Sequence, residues 1–427
     1  MASHRRHGDL RLRGRAGRRN SVHVVMTGHP AIAALRAPGL RRYLAGQLPS
    51  VACSWAQVVA LSWVVVERDP EALGWLVAWQ FAPSLLLGPW FGTLADRHDR
   101  KRLLILAETG LGLVALGLVA LGYAFAAGAG VLDLPVIYLL AAAWGVINAL
   151  DTPARRALVP MLVPAEAAAG ASALSGSVML VGMTAGSALG AVLVTTVGVT
   201  ATFAANAASF FGDALLLATI RVGPSPRIRR AGGQIRDGLR YVWRTPELRA
   251  PLLALGVVAT LGFTVQVSVP IFVRVSLSGG PALVGAAFTA VTVGSLVGAL
   301  VATARGEPGP HALTRVAGLM AAALVLTAAS TSVPIALVGL AGVGVAWSLF
   351  IAFVLAVLQS CEPAMTGRVM SLFAVGLLGG TAAGAPLTAT LIALTGPRTA
   401  LAVSAVATVG AVLLGLALRR PRRMALW

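Results

Sequence analysis

Eleven residues decide how this chain folds: Gly92-Thr-Leu-Ala-Asp96-Arg97-His98-Asp99-Arg100-Lys101-Arg102. Six of them are charged, and the charged part lies between two apolar runs, residues 73–95 and 103–127. Each run is long enough to cross the hydrocarbon core of a bilayer, which takes about 20 apolar residues in a helix. The stretch is therefore predicted to be a short loop between two transmembrane helices, lying at one membrane surface.

The composition extends this interpretation to the whole chain. Of 427 residues, 57% are hydrophobic and only 11% are charged, whereas soluble domains carry about 25% charged residues. The 48 glycines agree, because glycine is more frequent in membrane helices than in soluble ones. The two cysteines, Cys53 and Cys361, offer no disulfide framework. A soluble enzyme, a disordered protein and a secreted disulfide scaffold are excluded, and a polytopic membrane protein is predicted.

Apolar runs recur along the chain with short polar or Gly-Pro breaks between them. We predict an all-α polytopic membrane protein with twelve transmembrane helices. The runs cover residues 43–66, 73–95, 103–127, 135–152, 173–196, 199–220, 250–273, 282–304, 313–331, 333–358, 369–393 and 399–418.

The positive charges predict the orientation. Of the 34 Lys and Arg residues, 31 fall before the first run, after the last run or in alternate loops, and three fall in the other loops. This bias indicates that both termini are cytoplasmic, in a multi-pass protein of the cell membrane. The net charge of +19 is thereby explained by topology, and binding to nucleic acid is not expected.

The chain divides into two predicted halves. An amphipathic helix is predicted over residues 234–247 of the middle connection, either lying on the inner leaflet or acting as a solvated linker helix. The predicted parts are a disordered basic cytoplasmic leader (1–30), an amino-terminal six-helix half (31–220), the cytoplasmic linker (221–249), a carboxy-terminal six-helix half (250–418) and a basic cytoplasmic tail (419–427).

Small residues spaced four apart repeat between the halves. The fifth run contains Gly182, Gly186 and Gly190, and the eleventh contains Gly380, Gly384 and Pro386. Glycines at this spacing let membrane helices approach closely. An offset of about 200 residues is the parallel repeat expected of two six-helix transporter halves.

The charged loop resembles the signature loop of the major facilitator superfamily, Gly-x-x-x-Asp-Arg-x-Gly-Arg-Arg. Gly92, Asp96, Arg97 and Arg100 match it, Lys101 replaces an Arg, and Asp99 replaces the second Gly. The resemblance implies a conformational latch, in which Asp96 caps the eleventh run. It also implies that Arg100 pairs with an acid at the inner end of the fourth run, where Asp151 is available and Arg155 follows. The alternative is an ordinary loop that only sets the topology.

Other segments resemble the branch of this superfamily that contains siderophore exporters and macrolide efflux proteins. The fifth run also resembles an antiporter motif, with Ser187 in place of the usual Pro and Ala191 in place of the last Gly. These resemblances imply export. The segments that carry the branch resemblance are Arg41–Gln47, Ala149–Arg155, Phe203–Phe210 and Asp237–Tyr241.

Acidic residues inside a membrane are costly and usually functional. Glu108, Asp151 and Asp213 lie within runs or at their ends, with Glu108 and Asp213 about 8 and 12 Å from the inner boundary. Three roles are open for Asp213, namely a coupling residue, a partner of a cytoplasmic arginine or a tolerated interfacial charge. Because the sixth run is expected at the periphery, we expect Asp213 not to be the coupling carboxylate.

A mostly apolar cavity with a few amide groups is expected between the halves, which suits an amphipathic organic molecule. The six histidines avoid the middle of the runs, and no Gly-x-x-x-x-Gly-Lys-[Ser/Thr] loop is present. We therefore expect no catalytic residue, no metal site, no cofactor and no nucleotide. The candidate cavity residues are Trp55, Gln57, Trp144, Asn148, Met183, Gln266 and Trp347.

These patterns predict a secondary active transporter that exports a drug, a siderophore or a secondary metabolite by alternating access, driven by protons. The alternatives are an importer of a small organic solute, or a non-transporting sensor or lipid-handling protein on the same fold. The expected partners are a small-molecule substrate, the proton and membrane lipid, and the expected oligomeric state is a monomer.

Overall fold

The computed structural model describes residues 33–126, 133–223, 234–262, 264–305, 309, 311–363 and 365–417, so the predicted leader and tail lie outside the described residues. The described elements are all helical. The first six runs correspond to α1 (Pro38–Arg68), α2 (Ala72–Arg97), α3 (Arg100–Ala126), α4 (Leu134–Leu158), α5 (Ala168–Thr196) and α6 (Gly198–Thr219).

The second half begins after the short linker helix α7 (Gln234–Arg244), and its first span is interrupted. That span consists of α8 (Pro246–Val257), a π-helical turn (Val258–Gly262) and α9 (Val265–Ser276). The remaining five runs correspond to α10 (Pro281–Arg305), α11 (Ala312–Ala329), α12 (Val333–Gln359), α13 (Thr366–Thr395) and α14 (Pro397–Ala417).

Each of the twelve predicted runs therefore corresponds to a helical segment. Among the described residues, eleven segments are long and apolar enough to cross a membrane, and α2 adds a shorter apolar stretch over Ala72–Gly88. Local sequence explains the breaks. Pro38 and Pro397 start helices, where a missing N–H costs nothing. Gly198 and Gly396 separate neighbouring helices at φ values of 86° and 85°, which favour glycine. The prediction of an all-α polytopic membrane fold is confirmed.

The glycine motifs occupy equivalent positions in the two halves. Gly186 of α5 lies against the backbone of Ala52 in α1, and a methyl group on it would lie 2.8 Å from the Ala52 Cα. Gly384 of α13 lies in the same way against the backbone of Thr260, also at 2.8 Å. The two halves thus share one packing contact, in which glycine allows two helix backbones to meet.

The halves touch each other at the end of the bundle away from the charged loop. A methyl group on Gly74 would lie 2.6 Å from the Ala389 Cβ, and one on Gly285 would lie 2.8 Å from the Ala191 Cα. At the opposite end, which we call the loop face, Gly92 and Gly176 have no neighbouring atom within 4 Å of such a group. Gly92 and Gly176 therefore make no close helix contact of the kind seen at Gly74 and Gly285.

Candidate functional site

A buried arginine on α4 organises the charged residues of the first half. Asp151 and Arg155 are one helical turn apart on α4, and their side chains form a two-point contact. The Arg155 Nε lies 3.1 Å from Asp151 Oδ2, and the Arg155 Nη2 lies 3.1 Å from Asp151 Oδ1. Paired hydrogen bonds of this kind are the strong form of an arginine–carboxylate interaction.

Two further carboxylates reach the same guanidinium nitrogen from neighbouring helices. Glu108 of α3 forms an ion pair with Arg155 Nη2 through its Oε1. Asp213 of α6 places its Oδ2 3.5 Å from the same nitrogen. Glu108 and Asp213 are each only 1% exposed. We call Glu108, Asp151, Arg155 and Asp213 the charge cluster.

The charge cluster continues into α1 and α5 through hydroxyl and amide groups. Arg155 Nη1 donates to the Tyr43 hydroxyl at 3.4 Å, and that hydroxyl lies 3.4 Å from Ser175 Oγ on α5. Ser175 Oγ in turn donates to Gln47 Oε1 at 3.0 Å. Side chains from five helices are thereby joined in one polar network.

Gly46 makes room for the cluster on α1. A methyl group on Gly46 would overlap the Asp213 carboxylate, since it would lie only 3.1 Å from the Asp213 Cγ and closer still to Oδ1. Asp213 therefore packs directly against the α1 backbone. The sixth run is expected at the periphery, and α6 does turn Leu215 outward (69% exposed), but its opposite face buries Asp213 against α1.

The cluster has more acceptors than donors. Glu108 Oε2 and both carboxylate oxygens of Asp213 are buried and have no hydrogen-bond partner among the described residues. Buried polar atoms are usually satisfied, so each exception calls for an explanation.

The predicted pair of Arg100 with Asp151 is not formed in this structure. Arg100 is buried, and its Nη1 lies 3.1 Å from the Met161 sulfur, while its Nε has no hydrogen-bond partner among the described residues. Asp151 is taken by Arg155 instead, because that arginine follows it by one turn on the same helix. The resemblance associates the latch with closure of the loop face, where Gly92 makes no close contact in this structure.

The rest of the signature loop forms the start of α3. Asp99 accepts from the backbone N–H groups of Lys101 (3.0 Å) and Arg102 (3.2 Å), which makes it the N-cap of α3. This capping role explains an aspartate where the family pattern has glycine. The Lys101 Nζ donates to the Ala218 carbonyl at 2.8 Å, and Arg97 is exposed. The side chain of Asp96 lies outside the described residues.

Two of the predicted cavity residues lie where the halves meet. Trp55 of α1 packs edge-on against Phe288 of α10, with ring centroids 6.3 Å apart. Gln266 of α9 lines a small cavity together with Gln80 and Ser62 of the first half. These contacts place one aromatic ring and several polar side chains at the junction of the halves.

The other predicted cavity residues make separate contacts. Gln57 is buried within the first half, where its Oε1 accepts from Asn206 Nδ2 at 2.8 Å, so its amide oxygen already has a partner. Trp144 packs against the apolar residues between α3 and α6. Asn148 accepts from Thr152, Met183 is half-buried on α5, and Trp347 stacks on Phe350.

The sequence contains the members of the charge cluster but does not predict that they associate. It presents Glu108 and Asp213 as separate acids, and Tyr43 lies within a family-like segment. One signal links the two acids, which lie about 8 and 12 Å from the same end of the bundle, while the long Arg155 side chain starts just beyond that end of the fourth run. Similar depth in neighbouring helices brings side chains to one level of the bundle.

Related sequences include several transporters. The staphyloferrin A transporter of Staphylococcus aureus is 25% identical over 252 residues, which is 58% of this chain and 62% of that protein. The enterobactin exporter EntS of Citrobacter koseri is 28% identical over 340 residues, 77% of each chain. The macrolide efflux protein A of Streptococcus pyogenes is 32% identical over 126 residues, 29% of each chain. The chain thus spans about 60% of the staphyloferrin A transporter and more of EntS.

Solved structures share the fold at low sequence identity. The nucleoside transporter NupG superposes with a TM-score of 0.71 at 11% identity, covering 89% of this chain and 99% of that one. A bacterial homolog of the human lysosomal transporter Spinster, in an inward-facing and occupied conformation, superposes with a TM-score of 0.67 at 15% identity, covering 92% and 96%.

The family model described as transmembrane secretion effector matches residues 30–426, nearly the whole chain. This match agrees with the signature loop, the two six-helix halves and the transporter relatives. The chain belongs to the transmembrane secretion effector family of major facilitator superfamily transporters.

Proposed function

We propose that this transporter exports a small amphipathic organic molecule by alternating access, driven by the proton gradient. The arrangement of the halves is the observation that carries the proposal. They pack together at Gly74–Ala389 and Gly285–Ala191, whereas at the loop face Gly92 and Gly176 have no neighbouring atom within 4 Å of an added methyl group. Close contact between the halves at one end without such contact at the other is what one state of an alternating-access cycle requires.

The direction and the substrate class are supported by the relatives. Those named above include an exporter of enterobactin and a macrolide efflux protein, and a multidrug efflux pump of Mycobacterium bovis is 27% identical over 267 residues. The junction of the halves offers an aromatic ring at Trp55 and an amide at Gln266, which suit a molecule with both apolar and polar faces. We further propose a monomer in the cell membrane with cytoplasmic termini, in contact with membrane lipid.

Transport assays in everted membrane vesicles test the proposal. Vesicles containing the full chain are energised to an acidic interior and offered a labelled macrolide, enterobactin or staphyloferrin A. Export predicts accumulation of at least one probe inside the vesicles, abolished by a protonophore. Accumulation only in right-side-out vesicles would mean import. Binding without counterflow of any probe would mean a sensor.

We propose that the loop Gly92–Arg102 acts as a latch when the loop face closes. The buried Arg100 supports this, because its Nε has no hydrogen-bond partner among the described residues. Arg100→Gln is expected to increase labelling of Gly176→Cys on α5 by several-fold, in a background with Cys53 and Cys361 replaced by serine. The matched control is Arg156→Gln, an exposed arginine of the same half outside the loop. Equal labelling in both variants would mean that the loop only sets the topology.

A further inference from the structure

Charge counting identifies an imbalance inside the first half. Three carboxylates contact the single cation Arg155, so the charge cluster would carry a net charge of −2 with every group ionised. Among the described residues, no ion pair joins these acids to another cation. Arg42 and Lys101 donate to the carbonyls of Thr219 and Ala218, and Arg100 lies against Met161. Buried charge without a partner costs several kcal/mol, about 3–5 when one partner of a buried pair is removed.

The hydrogen-bond donors of Arg155 show the same imbalance. Arg155 Nε bonds Asp151, and Nη1 bonds the Tyr43 hydroxyl. The contacts with Glu108, Asp213 and the second oxygen of Asp151 all fall on Nη2, which carries two N–H groups. Three acceptors therefore compete for the two N–H groups of this nitrogen.

One bound proton relieves both problems, because it lowers the net charge from −2 to −1 and adds a hydrogen-bond donor. A protonated carboxyl group becomes a hydrogen-bond donor, so it can donate to the neighbouring carboxylate and satisfy an oxygen that Nη2 cannot reach. Asp151 is the fixed counter-ion, because it already has two bonds to Arg155. Glu108 and Asp213 are the groups with buried unpartnered oxygens. We propose that Glu108 and Asp213 share one exchangeable proton, and that this pair is the proton-coupling site of the transporter.

The partly exposed members of the charge cluster give the proton a route to the buried pair. Glu108 and Asp213 are almost fully buried, whereas the side chains of Asp151 and Arg155 are 12% and 17% exposed. The route therefore runs along Asp151 and Arg155 near the loop-face end of α4. The remaining groups that face the site are Tyr43 and Gln47 of α1 and Ser175 of α5, all uncharged in their ordinary state.

The contacts of the charge cluster also link the proton-binding pair to α1 and α5, the helices that touch the second half. Asp213 packs on Gly46 of α1, and Arg155 reaches α5 through Tyr43 and Ser175. Further along these helices, Trp55 of α1 and Ala191 of α5 touch the second half. Loading or releasing the proton changes the bonds that hold α1 and α5, which are helices the transport cycle must move. The role in coupling rests on the proposed proton-driven transport, and the proton-binding site itself does not.

Infrared spectroscopy of the full chain in lipid vesicles tests the site without any substrate. We expect the carbonyl-stretch band of a protonated carboxylic acid at neutral pH, shifted in heavy water and lost on alkaline titration. Glu108→Gln and Asp213→Asn should each shift or remove that band, and the double variant should remove it. The control Glu166→Gln changes an exposed acid of the same half and should leave the band in place.

The outcomes separate this proposal from the proposed function. Absence of the band in the unmodified chain, or its persistence in the double variant, would overturn the proton site whether or not the protein transports. Transport adds the second arm: the double variant should keep substrate counterflow, which needs no net proton movement, and lose proton-driven accumulation. Proton-driven accumulation equal to that of the unmodified chain would overturn the coupling role. A titrating band in a chain with no transport would instead overturn the proposed function alone.

Discussion

The two halves repeat the same scaffold around different chemistry. The offset of 198 residues that relates Gly186 to Gly384 also relates Asp213 to Ala411, and both of the latter are buried. The offset of 208 that relates Ala52 to Thr260 relates Gly46 to Ala254. The first half thus pairs a glycine with an acid where the second half has two alanines. Packing contacts are common to the halves, and the buried charge belongs to the first half only among the positions compared.

The second half keeps its nearest counterpart of the cluster at the surface. Arg368 lies 3.9 Å from Asp237 of α7, with side chains 33% and 50% exposed. Its interior is instead a large apolar cluster that includes Phe272, Phe288 and Phe350. A symmetric scaffold therefore carries an asymmetric distribution of charge, which makes one half responsive to charge changes and the other mainly to volume changes.

The largest difference between the halves is expected for their arginines. Arg155→Gln leaves three buried carboxylates without a cation and should lower the free energy of unfolding by about 3–5 kcal/mol. Arg368→Gln breaks a half-exposed pair and should cost less than about 1 kcal/mol. Unfolding by SDS titration in mixed micelles measures both. A quadruple variant that also neutralises Glu108, Asp151 and Asp213 should recover most of the loss. Equal losses for the two single variants would contradict the asymmetry.

The glycine contacts should behave alike in both halves. Gly186→Ala and Gly384→Ala each force a methyl group into a neighbouring backbone and should cost about 1–3 kcal/mol. The controls are Gly212→Ala and Gly410→Ala, helical glycines with no atom in reach of an added methyl group. These should be neutral or slightly stabilising, because alanine is the better helix former. The same unfolding assay measures these changes. A loss of stability for only one of Gly186→Ala and Gly384→Ala would show that the two matching contacts contribute unequally to the free energy of unfolding.

A smaller effect is expected when the glycine–acid pair of the first half is replaced by the alanine pair of the second half. Gly46→Ala pushes on the Asp213 carboxylate and should cost about 1–2 kcal/mol. Adding Asp213→Ala recreates the alanine pair of Ala254 and Ala411, and should recover stability relative to Gly46→Ala alone. A double variant that is less stable than both single variants would mean that the two positions are not coupled through space.

The smallest effect is expected at the hydroxyl that links the cluster to α5. Tyr43→Phe removes the acceptor for Arg155 Nη1 and the contact with Ser175, and should cost about 1 kcal/mol. The control Tyr138→Phe removes a hydroxyl that donates to the Ala72 carbonyl, outside the cluster. Both variants should remain stable in the unfolding assay. Accumulation driven by the proton gradient should fall in Tyr43→Phe and not in Tyr138→Phe.

The sequence predicted the helices well because apolar length and loop charge are local properties. Each predicted run corresponds to a helical segment, and the linker helix predicted over 234–247 is seen as Gln234–Arg244. The charge cluster could not be predicted in the same way. Glu108 is 47 residues from Arg155, so their contact depends on which faces of α3 and α4 meet. The seventh run likewise looked continuous, and its π-helical turn leaves no mark in the apolar pattern.

That π-helical turn rotates the helical residues that follow it, relative to their positions in a continuous α-helix. A π-helical turn amounts to one inserted residue, and each residue of an α-helix corresponds to a rotation of about 100°. After this turn the helix is interrupted at Thr264 (φ −98°, ψ 74°), and α9 then places Gln266 beside Gln80 and Ser62 of the first half. We expect that a change of one residue in the length of this segment would bring a different side chain of α9 beside Gln80 and Ser62, with the apolar composition of the span unchanged.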